Sequence, residues 1–146
     1  MSVSFVETLR GSYFLIERPD DRRVCEVAIA IKLSRSAAKE RQIVAAMTGH
    51  ATFDQLASHQ QIAGQCTLQF SGQRQVAYCF DLTADDGRAL HFAGAKHPSL
   101  MRPIYAATTL WGTLSHQGIA LAMVRLQFDL RRDLVAFFQS VAREHQ

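Results

Sequence analysis

Most of the short patterns that announce a chemistry are missing from this chain. No G-x-G-x-x-G opens a strand–helix unit, which removes the usual route to a dinucleotide or flavin cofactor, and no G-x-S-x-G is present to build the nucleophile elbow of a serine hydrolase. The six histidines, His50, His59, His91, His97, His116 and His145, form no H-x-H or H-x-x-x-H pair and have no acidic residue at ligand spacing, so no metal site is expected. The three cysteines, Cys25, Cys66 and Cys79, form no C-x-x-C pair and lie beside apolar residues, the pattern of buried free thiols in a reducing compartment. Such neighbours would raise a thiol pKa, which argues against a nucleophile built from Cys66 or Cys79 with His91. No apolar run approaches the roughly 20 residues that span a bilayer, and the N-terminal MSVSFVETLRGS lacks a basic segment followed by an apolar one. A soluble, cytoplasmic protein without a membrane span is expected. Sixteen Lys and Arg against thirteen Asp and Glu give a net charge of +3. The basic residues are scattered and no aromatic ladder alternates with them, so nucleic acid is not an expected partner.

What the chain has in abundance is alternation. From Ile104 to Leu130 it reads as two long strands reversed at Ser115-His116-Gln117-Gly118. In the first arm Tyr105, Ala107, Thr109, Trp111 and Thr113 share one side, while the second arm is apolar on both. A hairpin of this length needs a sheet or barrel around it. Ser2–Ile16 places Val3, Phe5, Glu7, Leu9 and Gly11 on one side, with Gly11 suggesting a bulge or bend. Val24–Leu33 turns Cys25, Val27, Ile29, Ile31 and Leu33 one way. Ile43–Phe53, Ile62–Phe70, Arg74–Leu82 and Arg88–Lys96 continue the series, with turns at Pro19-Asp20-Asp21, Ser71-Gly72-Gln73 and Asp86-Gly87. Two polar links are expected at 34–42, which lacks Gly and Pro and could form a short helix, and at 54–61.

Eight strands over about 2–130 joined mostly by short reversals argue antiparallel neighbours, and Leu134, Phe137, Phe138 and Val141 recur at helical spacing over about 131–144. The expected fold is therefore all-β: one domain, 1–146, in which an eight-stranded antiparallel up-and-down barrel is followed by a C-terminal α-helix. A helix that left its stripe exposed would offer it to a second subunit, so a homodimer stays open.

Phe5-x-Glu7-Thr8-Leu9-x-Gly11, Gly94-x-Lys96 and Thr108-Thr109-Leu110 together resemble a small β-barrel segment found beside cholesterol-oxidase-like members of the glucose-methanol-choline oxidoreductases. The resemblance implies a lipocalin-like or calycin-like fold and an association with lipid or sterol chemistry, without the flavin machinery of those enzymes.

Two charges interrupt apolar faces. Glu7 stands between Phe5 and Leu9, and Lys96 shares its side with Leu90, Phe92 and Gly94, so each must reach a barrel mouth or a partner of opposite charge. They serve either as an ion pair that fixes register or as an anchor for a ligand head group. Arg125 offers a bidentate fork to Glu7 or to an acidic ligand, unless it faces outward. Because the first and last strands of such a barrel must meet, Glu7, Lys96 and Arg125 are expected to converge at one end of the interior. Tyr105, Thr109 and Trp111 add the aromatic area and hydroxyls of a pocket, or else are ordinary core. The expected function is non-catalytic binding of a small, largely apolar, lipid- or sterol-like ligand through Glu7, Lys96, Tyr105, Thr109, Trp111 and Arg125, with no cofactor. The alternatives are an isomerase- or hydrolase-type enzyme using Glu7 or a histidine as base, and a filled barrel serving as an accessory or interaction module.

Overall fold

Alternation with a period of two is realised as nine strands in the computed structural model, which describes residues 2–34, 38–39, 42–69, 75–96 and 109–127. The strands are β1 (Ser2–Leu15), β2 (Arg23–Ser34), β3 (Ala38–Lys39), β4 (Gln42–Phe53), β5 (Ala57–Gln69), β6 (Gln75–Thr83), β7 (Ala89–Lys96), β8 (Thr109–His116) and β9 (Ile119–Gln127). No helix occurs among the described residues. The expected helix at 131–144, the loop around Pro98 and Pro103 and the turn at 71–73 lie outside them.

The sheet runs in the order β2-β1-β9-β8-β7-β6-β5-β4-β3, and a further pairing of β2 with β4 closes it. Apart from the two-residue β3, each strand lies antiparallel beside its neighbours in sequence, and β9 returns to β1. This is a closed eight-stranded antiparallel barrel. Following the ladder from Phe5 through Ile31, Met47, Gly64, Phe80, Phe92, Leu114 and Ala122 re-enters β1 at Leu15, ten residues further along. With strands about 4.8 Å apart and about 3.3 Å per residue, that stagger tilts them roughly 40° from the barrel axis.

Closure decides which half of each strand is core. Leu9 and Tyr13, Val27 and Ile29, Met47 and Phe53, Phe80 and Leu82, Leu90 and Phe92, Leu114, Val124 and Leu126 are all buried and form one cluster. The two apolar sides of β9 are separated here: Ala122, Val124 and Leu126 are buried, whereas Met123 is exposed and Arg125 half-buried.

One end is sealed by tight connections. The Tyr13 hydroxyl donates to the Asp54 carbonyl, and its ring meets Phe53 edge-on at 5.4 Å. The Asp85 carboxylate accepts from Ser58 N and Ser58 Oγ, both at 2.8 Å, and from Gln60 Nε2 at 3.2 Å, tying the β6–β7 turn to the start of β5. Those hydrogen bonds hold the Asp85 carboxyl below its ordinary pKa. Gln117 and Gly118 both have positive φ, as a two-residue hairpin turn requires.

Three local expectations change. Residues 38–39 are a short strand paired with 42–43 rather than helix, because β4 offers that segment a ladder. The link at 54–61 shortens to 54–56, since β5 begins at Ala57. Gly11 is not a bulge: both β1 ladders pass it without a slip, and the register shifts fall at Ala51/Phe53 and Leu114/Ser115. A glycine is needed there because a Cβ at Gly11 would stand 1.8 Å from the Arg125 carbonyl oxygen, a backbone atom. Gly11→Ala should therefore force β1 and β9 apart and destabilise the protein by about 3 kcal/mol. Urea unfolding measures this, and a wild-type midpoint and slope in the variant would contradict the crossing.

Candidate functional site

The middle of the lumen is filled by aromatic rings. Phe80 and Phe92, cross-strand partners on β6 and β7, stack at 4.7 Å and 18°. The Phe92 ring occupies space that a Cβ on Gly112 would need, coming within 2.5 Å of that position. Toward the end away from the tight turns the lining changes. Glu7, the one charged residue among the buried ones described, is 5% exposed. Tyr78 and Cys66, partners on β6 and β5, are buried with it. The Tyr78 phenol is held well above its ordinary pKa, first by burial and then by electrostatic opposition from Cys66 and Glu7, with a Tyr78–Cys66 hydrogen bond acting in the same sense. Glu7, Tyr78 and Cys66 therefore share one polar region of an otherwise apolar barrel.

Arg125 does not join them. It lies on the outer face of β9 between buried Val124 and Leu126, and its guanidinium sits 5.4 Å from the Trp111 ring centroid. Trp111, 57% exposed, is its cross-strand partner on β8. The expected convergence of Glu7 with Arg125 is thus corrected: the two are on opposite faces of the wall. With both sides of β9 apolar in sequence, only the register could decide which side faces in. Trp111 and Thr113 likewise line the outside and not the pocket. Thr109 is buried at the start of β8, paired with Gln127. Lys96 pairs with Val76 at the end of β7; its side chain, and the whole of Tyr105, lie outside the described residues.

Sequence reasoning missed Tyr78 and gave Cys66 only a doubtful role. The usable signal was the alternation Val76, Tyr78, Phe80, Leu82 in β6, each of which is buried. The described histidines take no part in this region. His91 pairs with Asp81 at 2.9 Å outside the barrel, His116 lies 2.9 Å from the Ala89 carbonyl, and His50 stacks on His59 at 4.4 Å. Cys66 and His91 therefore do not meet. No group of three metal-ligating side chains occurs among the described residues, and no described helix is long and apolar enough to cross a membrane.

Comparison with known proteins finds no match to the chain among protein-family models, curated proteins or solved structures. Its assignment rests on geometry alone: a closed antiparallel barrel with a carboxylate, a phenol and a thiol in its lumen.

The three thiols differ in exposure. Cys25 and Cys66 are buried, while Cys79 is half-buried on the outer side of β6. Burial pushes the Cys25 thiol up to about 12. Reaction of the native protein with an aromatic disulfide reagent at pH 8 should label Cys79 alone, with Cys25 and Cys66 reacting only on unfolding. Equal rates at all three would contradict the assignment of faces.

Proposed function

We propose that the barrel binds a small, largely apolar molecule in its lumen without chemistry, and that Glu7 and Tyr78 receive the polar head of that molecule. The observation that carries this reading is a carboxylate enclosed in an apolar interior beside a phenol and a thiol. A buried carboxylate is a poor stabilising element compared with an apolar residue of similar size, and a lumen that only had to be filled would do better without one. Glu7 offers two carboxyl oxygens as acceptors, so the matching head group is a hydroxyl or amine and not an acid. The sequence resemblance supports a sterol-like ligand, since Glu7 stands inside one of the motifs that carry it. A lipocalin-like fold agrees with the closed eight-stranded meander, and cysteines that form no disulfide suit a cytoplasmic location. Among the described residues, Glu7 is the base that an isomerase- or hydrolase-type reaction in the same lumen would use, because the described histidines lie outside.

The filled-barrel reading is favoured by one specific feature, the Phe80–Phe92 stack seated against Gly112, which occupies the middle of the lumen. The two readings separate on titration with two fluorescent polyenes, dehydroergosterol, which ends in a hydroxyl, and cis-parinaric acid, which ends in a carboxylate. Saturable 1:1 binding of dehydroergosterol is expected, weakened about tenfold by Glu7→Gln, or roughly 1.4 kcal/mol. Binding of cis-parinaric acid should be weaker in the wild type and gain from the same substitution. A thermal melt of each variant confirms that it is folded. If neither probe binds saturably, the lumen is a packed core and the interaction-module reading replaces this one.

A further inference from the structure

The outer wall over β1, β9 and β8 differs from the rest of the barrel surface. Two cross-strand rows run across it, Ser12–Arg125–Trp111 and Phe14–Met123–Thr113. With Arg22 from the β1–β2 connection, Ser12, Phe14, Trp111, Met123 and Arg125 line a groove of about 200 Å³. Val24, the β2 partner of Ser12, extends the apolar area at 70% exposure, beside Trp111 at 57% and Met123 at 42%. No carboxylate among the described residues lines the groove. Among the described residues neither Arg22 nor Arg125 has an ion-pair partner, whereas Arg10, Arg23 and Arg88 are each paired with an acid. The Arg125 Nε is buried without a hydrogen-bond acceptor among the described residues, which leaves its desolvation cost uncompensated by a hydrogen bond.

We infer that this groove is a docking site for an acidic segment of a partner protein, one that presents a bulky apolar side chain flanked by Asp or Glu. The apolar side chain enters the depression between Phe14, Met123 and Trp111. A carboxylate then bridges toward Arg22 and Arg125, giving the buried Nε its acceptor. Exposed Trp, Met and Arg with no Lys is the composition of an interface centre. Strand addition is not available, because β1, β9 and β8 beneath the groove are paired on both sides, so recognition must run through side chains. A second copy fits poorly. A two-fold contact would bring the four guanidiniums of two grooves together with no acid between them. A lipid surface fits less well, since it rewards a row of projecting apolar side chains, whereas here Arg125 lies across the Trp111 ring and the side chains enclose a groove. This inference is independent of what the lumen binds.

Trp111 is the single tryptophan of the chain, so its emission reports on the groove directly. The test is selection of random tryptophan-free heptapeptides on the intact protein, followed by titration of the enriched peptides against Trp111 emission. Enrichment of sequences with an apolar residue flanked by Asp or Glu is expected, with a saturable blue shift. Affinity should fall about tenfold in Arg125→Gln and in Arg22→Gln, and stay unchanged in Arg88→Gln, which removes a charge at a distant turn; thermal melts confirm that each variant is folded. No enrichment, enrichment without acidic residues, or indifference to the Arg125 and Arg22 variants would each overturn the inference. So would a blue shift produced by phosphatidylserine-containing vesicles, which would make the site lipid-binding. A shift that follows a monomer–dimer equilibrium in sedimentation would overturn it in favour of a second copy.

Discussion

Closure of the sheet is the constraint on which the rest depends. The pairings of β2 with β4 and of β9 with β1 leave no strand of the barrel without neighbours over its central part, and the ten-residue stagger fixes the tilt and the width of the lumen. Every question of inside and outside follows from that register. Shifting one strand by a single residue would exchange Arg125 for a core position and put Val124 or Leu126 into solvent. The close passage of Gly11 against the β9 backbone belongs to the same geometry, since it lies where β1 begins to serve both neighbours.

Within that frame the lumen is not uniform. At the end with tight turns, Tyr13, Phe53, Leu56 and Ala84 are buried together, and the Asp85 carboxylate ties one turn to another strand. In the middle, two stacked phenylalanines leave little room. Glu7, Cys66 and Tyr78 then place polar groups in the remaining part. The cost of enclosing a carboxylate is several kcal/mol unless its interactions repay it, so its presence marks that part of the lumen as the place to seek function. The outer groove is a separate asset, made from side chains that the closed sheet had no further use for inside.

Much of this architecture was legible in the residues. Each of the eight barrel strands overlaps one of the eight alternating segments, because one-sided burial imposes a period of two that survives in β2 and β4, where Cys25, Val27, Ile29, Ile31, Ala45, Met47, Ala51 and Phe53 all turn inward. The Asp86-Gly87 turn follows from local chemistry and was equally plain. What could not be read was the facing of β8 and β9, whose two sides are similarly apolar: Trp111 and Arg125 were expected in the pocket and are outside. Glu7 was found because a charge between Phe5 and Leu9 breaks a pattern. Tyr78 was missed because a tyrosine among Val76, Phe80 and Leu82 does not.

The central claim is that Glu7 and Tyr78 share one buried polar region of the lumen, close enough for each to act on the other's charge. The measurement that tests it most directly is a pH titration of the tyrosine ζ-carbons by NMR, in the wild type and in Glu7→Gln. The unfolded phenol ionises near its ordinary value of 10.0 and the folded one well above it, so stability should fall as pH rises past that value while the folded chain keeps a proton the unfolded chain releases. Tyr78 is expected to show no ionisation step at its ordinary pH, and Glu7→Gln should shift its signal and lower the pH at which it ionises, leaving Tyr13 unmoved. A Tyr78 that titrates at the ordinary value and ignores Glu7→Gln would contradict the account.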